Sequence, residues 1–519
     1  MAKECSQRGR GNFKSIMITW GISANSHDAA LAVFTDDVLE FASHSERFSG
    51  VKNDAHLNKE IINYARQWGE PDEIIWYERP FRKTIRQLRA GQGIKYFGKN
   101  NINHYLRQYG ISAPIRYTDH HLAHAAAGFY TSPFTEASVV VIDSIGEFDT
   151  LTIWNANDRG LKKIYSQRYP HSVGLWYSAF TQRLGLKPQE DEYILMGMAA
   201  YGDPLRFFNE ILEEFFHPLD DDSLKQIFFN KPTIKLKHNL HRGCQWWRPE
   251  LNSPQDLMDI AAAVQAIYAY LLKYISNWAR WKSPSGNLIL MGGCALNCSA
   301  NSTIKSDWND VYIFPNPGDA GSAIGAVLAH KKEFMPMSHM YTGYEIEGEY
   351  PVEEVLHELL TTGICGVANG RAEFGPRAFG HRSLLADPRG TDIKDRVNNI
   401  KQRQLFRPFA PAVLEEHAAA YFDGYVNPFM QYTSTCTDPG LPAIIHGDGT
   451  SRVQTVSATQ SVGFRKLLER WYEETGCPIL LNTSLNIKGK PIVNTVEDAQ
   501  AFEQHYGVKV LTRRTKDKI

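Results

Sequence analysis

An excess of charge of either sign is the first thing this sequence lacks. Its 519 residues carry 56 Lys+Arg against 57 Asp+Glu, a formal net charge of -1. A dedicated nucleic-acid or membrane-surface binder normally carries a large basic excess, so neutrality argues against both as the main role. Long apolar runs are missing too. Ala137–Ile142 and Leu288–Met291 are strand-length at best, far short of the ~20 residues that span a bilayer. The opening MAKECSQRGRGNFKSIMITW is basic but lacks the apolar stretch of roughly 7–15 residues that marks a secretory signal. Residues 1–15 therefore read as a polar leader. Cysteine is scarce and odd in number, 7 in the whole chain, which points to reduced thiols and a cytoplasmic setting. Cys294 and Cys298 have no second pair near them, so no zinc site is expected there. Repeats with a period of ~20–50 residues and low-complexity tracts are also absent.

What is present is a globular composition, 43% hydrophobic and 22% charged, enough for a packed core. Strands are expected at Ile16–Ile22, Ala30–Phe34, Val38–Ser43, Glu73–Tyr77, Ser138–Asp143 and Leu288–Met291. Helices are expected at Leu57–Trp68, Phe81–Arg89, Leu257–Trp281 and Ala320–His330. This alternation implies an α/β layer architecture. Met335–Glu349 is polar and reads as a linker. Beyond it Arg371, Arg377, Arg382, Arg389, Arg396, Arg403 and Arg407, with Lys394 and Lys401, form a dense cationic segment. Gly, Pro and Phe interleave these cations, unlike a merely solvated basic face.

The sharpest cluster is Asp119-His120-His121-Leu122-Ala123-His124. His120 and His124 are four apart, so a helix puts both imidazoles on one face. Asp143 ends an apolar strand and Asp319 opens a helix, positions where α/β folds gather ligands. Such a His/His/Asp/Asp set suits iron, manganese or zinc. Gly292 and Gly293 follow another buried strand and let a backbone approach a nucleotide, with Asn297 placed to hydrogen-bond it. Arg377, Arg382, Arg403 and Arg407, with Lys401, have the guanidinium and ammonium chemistry of a phosphate site. Asn482, Ser484 and Asn486 add short polar groups after an apolar strand, and the set describes a site for a triphosphate or an acyl phosphate.

SANSHDAA, HHLAHAAAGFYTSPF, LMGMAAYG, MGGCALN, NPGDAGSAIGA, EFGPRAFGHRSLLADPR, FRPFAPAV, HGDGTSRVQTV and LLNTSLNIKGKPI occur in order between Ile18 and Leu511. Through them the chain resembles the O-carbamoyltransferase family of nodulation-factor and antibiotic enzymes, the tobramycin carbamoyltransferase among them. The resemblance implies an actin-like ATPase (ASKHA) type domain at 16–342 and a YrdC-like α/β domain at 343–519. It implies that carbamoyl phosphate and ATP, with magnesium, give a carbamoyl-adenylate in the C-terminal domain. The N-terminal domain then passes the carbamoyl group to an acceptor hydroxyl on a small molecule, sugar or antibiotic. By motif, His120, His124, Asp143 and Asp319 fall on the family's metal ligands, with iron the first expectation. His27 falls where a general base is expected. Gly292, Gly293 and Asn297 match the adenylate turn, and Lys401 with Arg403 and Ser484 with Asn486 fit the KxR and SxN elements.

Two departures stand out. Ser144 replaces a usual glycine, and Ile194 stands where the family often carries lysine. Carbamoylation of a hydroxymethylated pyrimidine in a nucleotide or DNA, and a tRNA threonylcarbamoyladenosine-type activity, are the alternative acceptor readings. Neutral charge favours a small molecule over duplex DNA. A sugar kinase of the actin-like class would need an acidic Gly/Thr-rich loop near the start, where GISANSHDAALAV has His-Asp instead. A homodimer is a further expectation.

Overall fold

The computed structural model describes residues 16–89, 98–216, 240, 243–407 and 409–513. The expected leader at 1–15 lies outside them. The N-terminal part is two five-stranded sheets. The first contains β1 (Ile18–Ser23), β2 (Ala30–Thr35), β3 (Val38–His44), β4 (Glu73–Trp76) and β5 (Ile115–Tyr117), in the order 3-2-1-4-5. The second contains β6 (Ala137–Gly146), β7 (Asp149–Asn157), β8 (Gly160–Arg168), β9 (Asn287–Met291) and β10 (Asp310–Ile313), in the order 8-7-6-9-10. Each is the same design: an antiparallel meander whose first strand runs parallel to two later ones. The chain thus carries a topological duplication, although its sequence shows no short repeat.

Each sheet is followed by a helix that closes its unit, His120–Thr131 after β5 and Ser322–Lys331 after β10. The two helices cross closely. A Cβ on Gly325 would lie 1.9 Å from the Ala123 carbonyl oxygen, so only glycine permits the approach. Between the sheets Trp20, Ile22, Phe34, Trp76, Phe129 and Val327 form one fully buried core. The long helix Pro254–Lys282 packs on the far side of the second sheet. Its start is written in the sequence: Ser253 and Asp256 make a reciprocal capping box, and Pro254 occupies the first turn.

The C-terminal part begins with β11 (Tyr341–Ile346), which pairs with β13 (Gly370–Glu373) around β12 (Ile364–Ala368). The stretch expected as a linker therefore contains a strand, and the expected junction at 342/343 falls inside it. Tyr341–Ile346 shows no apolar alternation, and it is the pairing with β13 that fixes it as a strand. Next come β14 (Arg382–Ala386), β15 (Ala410–Leu414), β16 (Phe422–Asp423), β17 (Ser434–Cys436), β18 (Thr450–Ser451), β19 (Gln454–Val456), β20 (Ile479–Ser484) and β21 (Val510–Leu511). Strands 19-15-20-14-12-21 form one mixed six-stranded sheet. Period-two alternation sends Leu384, Ala386, Ile479 and Leu481 to one face and Leu385 and Leu480 to the other. Helices cover both faces, so the whole chain is mixed α/β.

Candidate functional site

Ligands in α/β folds collect beyond the carboxyl ends of parallel strands. Here the two duplicated units turn those ends toward one crevice. The loop after β1 carries His27, the helix after β5 carries His120 and His124, β6 contains Asp143, and Asp319 opens the turn after β10. The i, i+4 spacing works as expected. His120 and His124 bring their Nε2 atoms to 3.2 Å. Asp319 Oδ1 lies 3.2 Å from His120 Nε2 and 3.3 Å from His124 Nε2, and Asp143 Oδ2 lies 3.4 Å from His120 Nε2.

One donor atom from each residue falls within 4.8 Å of the other three, and all four residues are buried. Burial and the neighbouring Asp319 push the Asp143 carboxyl up, but His120 and His124 outweigh them and hold it at about 2. Burial likewise opposes ionisation of Asp319, yet His120 and His27 keep it well below the carboxylate range. The Nδ1 atoms of His120 and His124 lack partners among the described residues, and the Nε2 atoms face the cluster. Two buried carboxylates and two imidazoles converging on one point are a donor set that fits a divalent cation. His121 is not part of this set, and its Nδ1 pairs with Thr152 Oγ1 at 2.9 Å.

His27 stands at the mouth of this cluster, Nδ1 bonded to Asp28 at 3.1 Å and Nε2 3.7 Å from Asp319 Oδ2. Burial disfavours its charge, but Asp319 and Asp28 override that and raise its pKa to about 10. Gly292 has φ +89, and a Cβ there would lie 2.1 Å from the Ile142 carbonyl oxygen. The Gly292-Gly293 turn consequently hugs the second sheet, with Gly293 N–H donating to Asp143 Oδ1 at 3.4 Å. Asn297, by contrast, is committed elsewhere. Its amide pairs reciprocally with Gln265 at 2.9 and 3.0 Å and caps the helix Cys298–Ser302.

A second cluster of opposite character lies in the C-terminal part. Burial, then Arg407 and Arg452, lower Arg403 to about 8, and burial with Arg452 lowers Arg377 to about 9. Arg407 is depressed by burial too. Arg403 lies flat on Phe409 at 3.9 Å and Arg407 on Tyr193 at 4.6 Å. Tyr193 comes from the N-terminal part, whose segment 192–202 docks here through Tyr201 Oη on Phe406 O at 2.9 Å. Lys401, buried and pushed well below its ordinary pKa by burial and Arg403, donates to Ser484 O at 2.7 Å and to Asn486 Oδ1. Lys401, Ser484 and Asn486 are thus brought together from residues far apart in sequence.

Two of the expected phosphate residues are not free to bind one. Arg382 is fully buried, and its guanidinium donates to the carbonyls of Asn369, Gly370, His381, Tyr344 and Asn494. It ties strands together because it sits on the core-facing start of β14, which spacing alone does not reveal. Asn482 spends its amide on Ala378 O and Gln454 Oε1, at 3.1 and 2.7 Å. Three residues that border the clusters were not singled out from sequence: Tyr77, Tyr193 and Arg452. Arg452 lies in the HGDGTSRVQTV block and Tyr77 directly follows an apolar strand, so position was the available signal for both.

Comparison with known proteins places this geometry in context. Residues 18–328 match the family described as carbamoyltransferase N-terminus, and residues 356–515 match carbamoyltransferase C-terminus. An uncharacterised protein of Synechocystis sp. is 33% identical, covering 92% of this chain and 93% of its own length. Nodulation protein NolNO of Sinorhizobium fredii is 29% identical over 91% of this chain and 76% of its own. The 3'-hydroxymethylcephem-O-carbamoyltransferase of Amycolatopsis lactamdurans is 27% identical over 93% of this chain and 95% of its own. Among solved structures, full-length HypF in a phosphate- and nucleotide-bound form covers 62% of this chain and 46% of its own. At 13% identity and a TM-score of 0.36 that likeness is too weak to carry an argument. The chain belongs to the carbamoyltransferase family, with both the N-terminal and C-terminal parts of that family present, and is a transferase enzyme.

Proposed function

We propose that this protein is an ATP- and carbamoyl phosphate-dependent O-carbamoyltransferase acting on a hydroxyl of a small molecule or sugar. One observation carries the reading: a carbamoyltransferase chain holds a buried His/His/Asp/Asp cluster, all donors within 4.8 Å, beside His27. The duplicated five-stranded topology supports an actin-like N-terminal domain, and the Lys401, Ser484 and Asn486 convergence supports a YrdC-like C-terminal one.

The chemistry divides between the two clusters. Water cleaves carbamoyl phosphate to carbamate and phosphate. A carbamate oxygen then attacks the α-phosphorus of ATP, forming carbamoyl-adenylate and expelling pyrophosphate. Arg377, Arg403, Arg407 and Lys401 neutralise the charge that grows on the phosphates, and their rings and hydrogen bonds hold them pre-set for it. In the second step the acceptor oxygen bonds to the carbamoyl carbon while the carbon–oxygen bond to AMP breaks. His27 is placed to take the acceptor proton on Nε2 once the Asp319 charge that holds its imidazole protonated is neutralised by a cation. The Gly292-Gly293 turn, packed closely on the second sheet, would present its backbone to the adenylate. His120, His124, Asp143 and Asp319 would hold a divalent metal, iron first and manganese or zinc otherwise, which supplies charge neutralisation beside the phosphate. Magnesium accompanies ATP.

The relatives named for hydroxymethylcephem and nodulation support a hydroxyl acceptor. Incubating the full-length protein with ATP, carbamoyl phosphate and a panel of sugars, antibiotics and nucleosides checks this by mass spectrometry. A carbamoyl mass increment that requires both cosubstrates is expected. Carbamoyl transfer that proceeds without ATP would sink the adenylate mechanism.

A further inference from the structure

Three parallel strands, β1, β4 and β5, end on the same crevice. β1 delivers the His27 loop and β5 the His120 helix. β4 delivers Tyr77, for which neither the metal set nor the proton acceptor has a use. Tyr77 is fully buried. Its ring lies against the His120 imidazole, centroids 5.0 Å apart and planes at 52°. Its hydroxyl has no hydrogen-bond partner among the described residues. Ser26, next to His27, is close enough to polarise that hydroxyl but is not in bonding geometry. The His120 imidazole that its ring packs against supplies one of the four donor atoms, so Tyr77 borders the cluster directly. A buried hydroxyl left unpaired is destabilising, and phenylalanine would fill the same space without that cost. Such a group is explained when a ligand completes it.

We propose that Tyr77 is a catalytic residue of the transfer step, its hydroxyl donating a hydrogen bond to the carbonyl oxygen of the carbamoyl group being transferred. The assignment rests on the carbamoyl-adenylate reading above. When the acceptor oxygen adds to the carbamoyl carbon, the carbonyl electron pair moves onto its oxygen. The pair returns as AMP departs, and the acceptor proton goes to His27. Tyr77 gives up no proton. It is a neutral donor fixed by packing, positioned where negative charge develops.

Two stable probes isolate this contact: sulfamoyladenosine and its N-carbamoyl derivative, which differ only in the carbamoyl group. Both are titrated calorimetrically into the full-length wild type and into Tyr77→Phe, with melting temperatures recorded. The expected result is that Tyr77→Phe binds the carbamoyl derivative about fivefold to tenfold more weakly. Sulfamoyladenosine binding should stay unchanged, and the melting temperature should hold or rise. Equal affinity of both proteins for the carbamoyl derivative would overturn the proposal. So would a parallel weakening of both probes with a lower melting temperature, which marks a structural hydroxyl. If neither probe binds the wild type, it is the carbamoyl-adenylate reading that fails, and the Tyr77 assignment goes with it.

Discussion

The N-terminal cluster and the C-terminal cluster are both buried and both densely ionisable, yet they are balanced in opposite ways. In the first, two carboxylates sit among imidazoles, and each sign supports the other. In the second, Arg377, Arg403, Arg407 and Lys401 crowd together beside Arg452, and burial among like charges lowers the pKa of all four. A self-compensated cluster of ligand atoms is suited to a compact cation. A cluster of like charges is a standing electrostatic debt that a polyanion relieves. The difference supports the proposed division of the chemistry into two half-reactions.

The largest effect should come from breaking the first cluster alone. His124→Ala is expected to lower divalent-metal affinity by at least the ~10–100-fold seen for outer-shell losses. It should abolish carbamoyl transfer while ATP consumption with carbamoyl phosphate continues. Metal analysis together with pyrophosphate release checks both halves, and loss of pyrophosphate release as well would merge two sites argued here to be separate.

The second cluster offers a sharper contrast between neighbours. Arg377→Ala removes a cation that only its ligand wants, so ATP affinity should fall about tenfold to a hundredfold, one charge-assisted contact. Stability should hold or rise, because burial and Arg452 already strain that charge. Arg382→Lys should do the reverse, leaving ATP affinity intact and costing about 3 kcal/mol as main-chain carbonyls lose their donor fork. Calorimetric ATP titrations and urea midpoints on the two variants decide the matter; the same pattern in both would refute the distinction.

The smallest effect is a pH dependence at a residue belonging to neither cluster. His381 stacks on Tyr341 at 3.8 Å and is held neutral, its pKa lowered to about 4 mainly by burial. The folded value lies below the unfolded ~6.5, so the folded chain resists protonation. Stability from this group is complete above pH 6.5 and falls as pH drops toward 4, by about 2 kcal/mol at pH 4.5. His381→Gln should flatten that part of the urea-midpoint profile, and an unchanged slope would count against it.

Much of the site was legible in the sequence because local rules carried it. The i, i+4 histidines, the strand-end position of Asp143 and the helix-opening Asp319 follow from periodicity and turn chemistry, and they converge as those rules imply. What was not legible depended on which way a side chain faces after long-range packing. Arg382 and Asn297 look like ligands in a motif, yet β14 and the Gln265 pairing turn them inward. Tyr193 reaches the arginines only because segment 192–202 crosses to the other part of the chain. The duplicated topology was hidden for a related reason: two units can share strand order while sharing no sequence period.

The close crossing at Gly325 and Ala123 has a mechanical meaning. His124 rides one residue past Ala123, and Asp319 lies on the approach to the helix that bears Gly325. The ligand atoms are therefore mounted on the bearing about which the two units would have to turn. Any rotation of one unit against the other opens or closes the donor spacing first, so a bound ion would act as a lock on the angle between them.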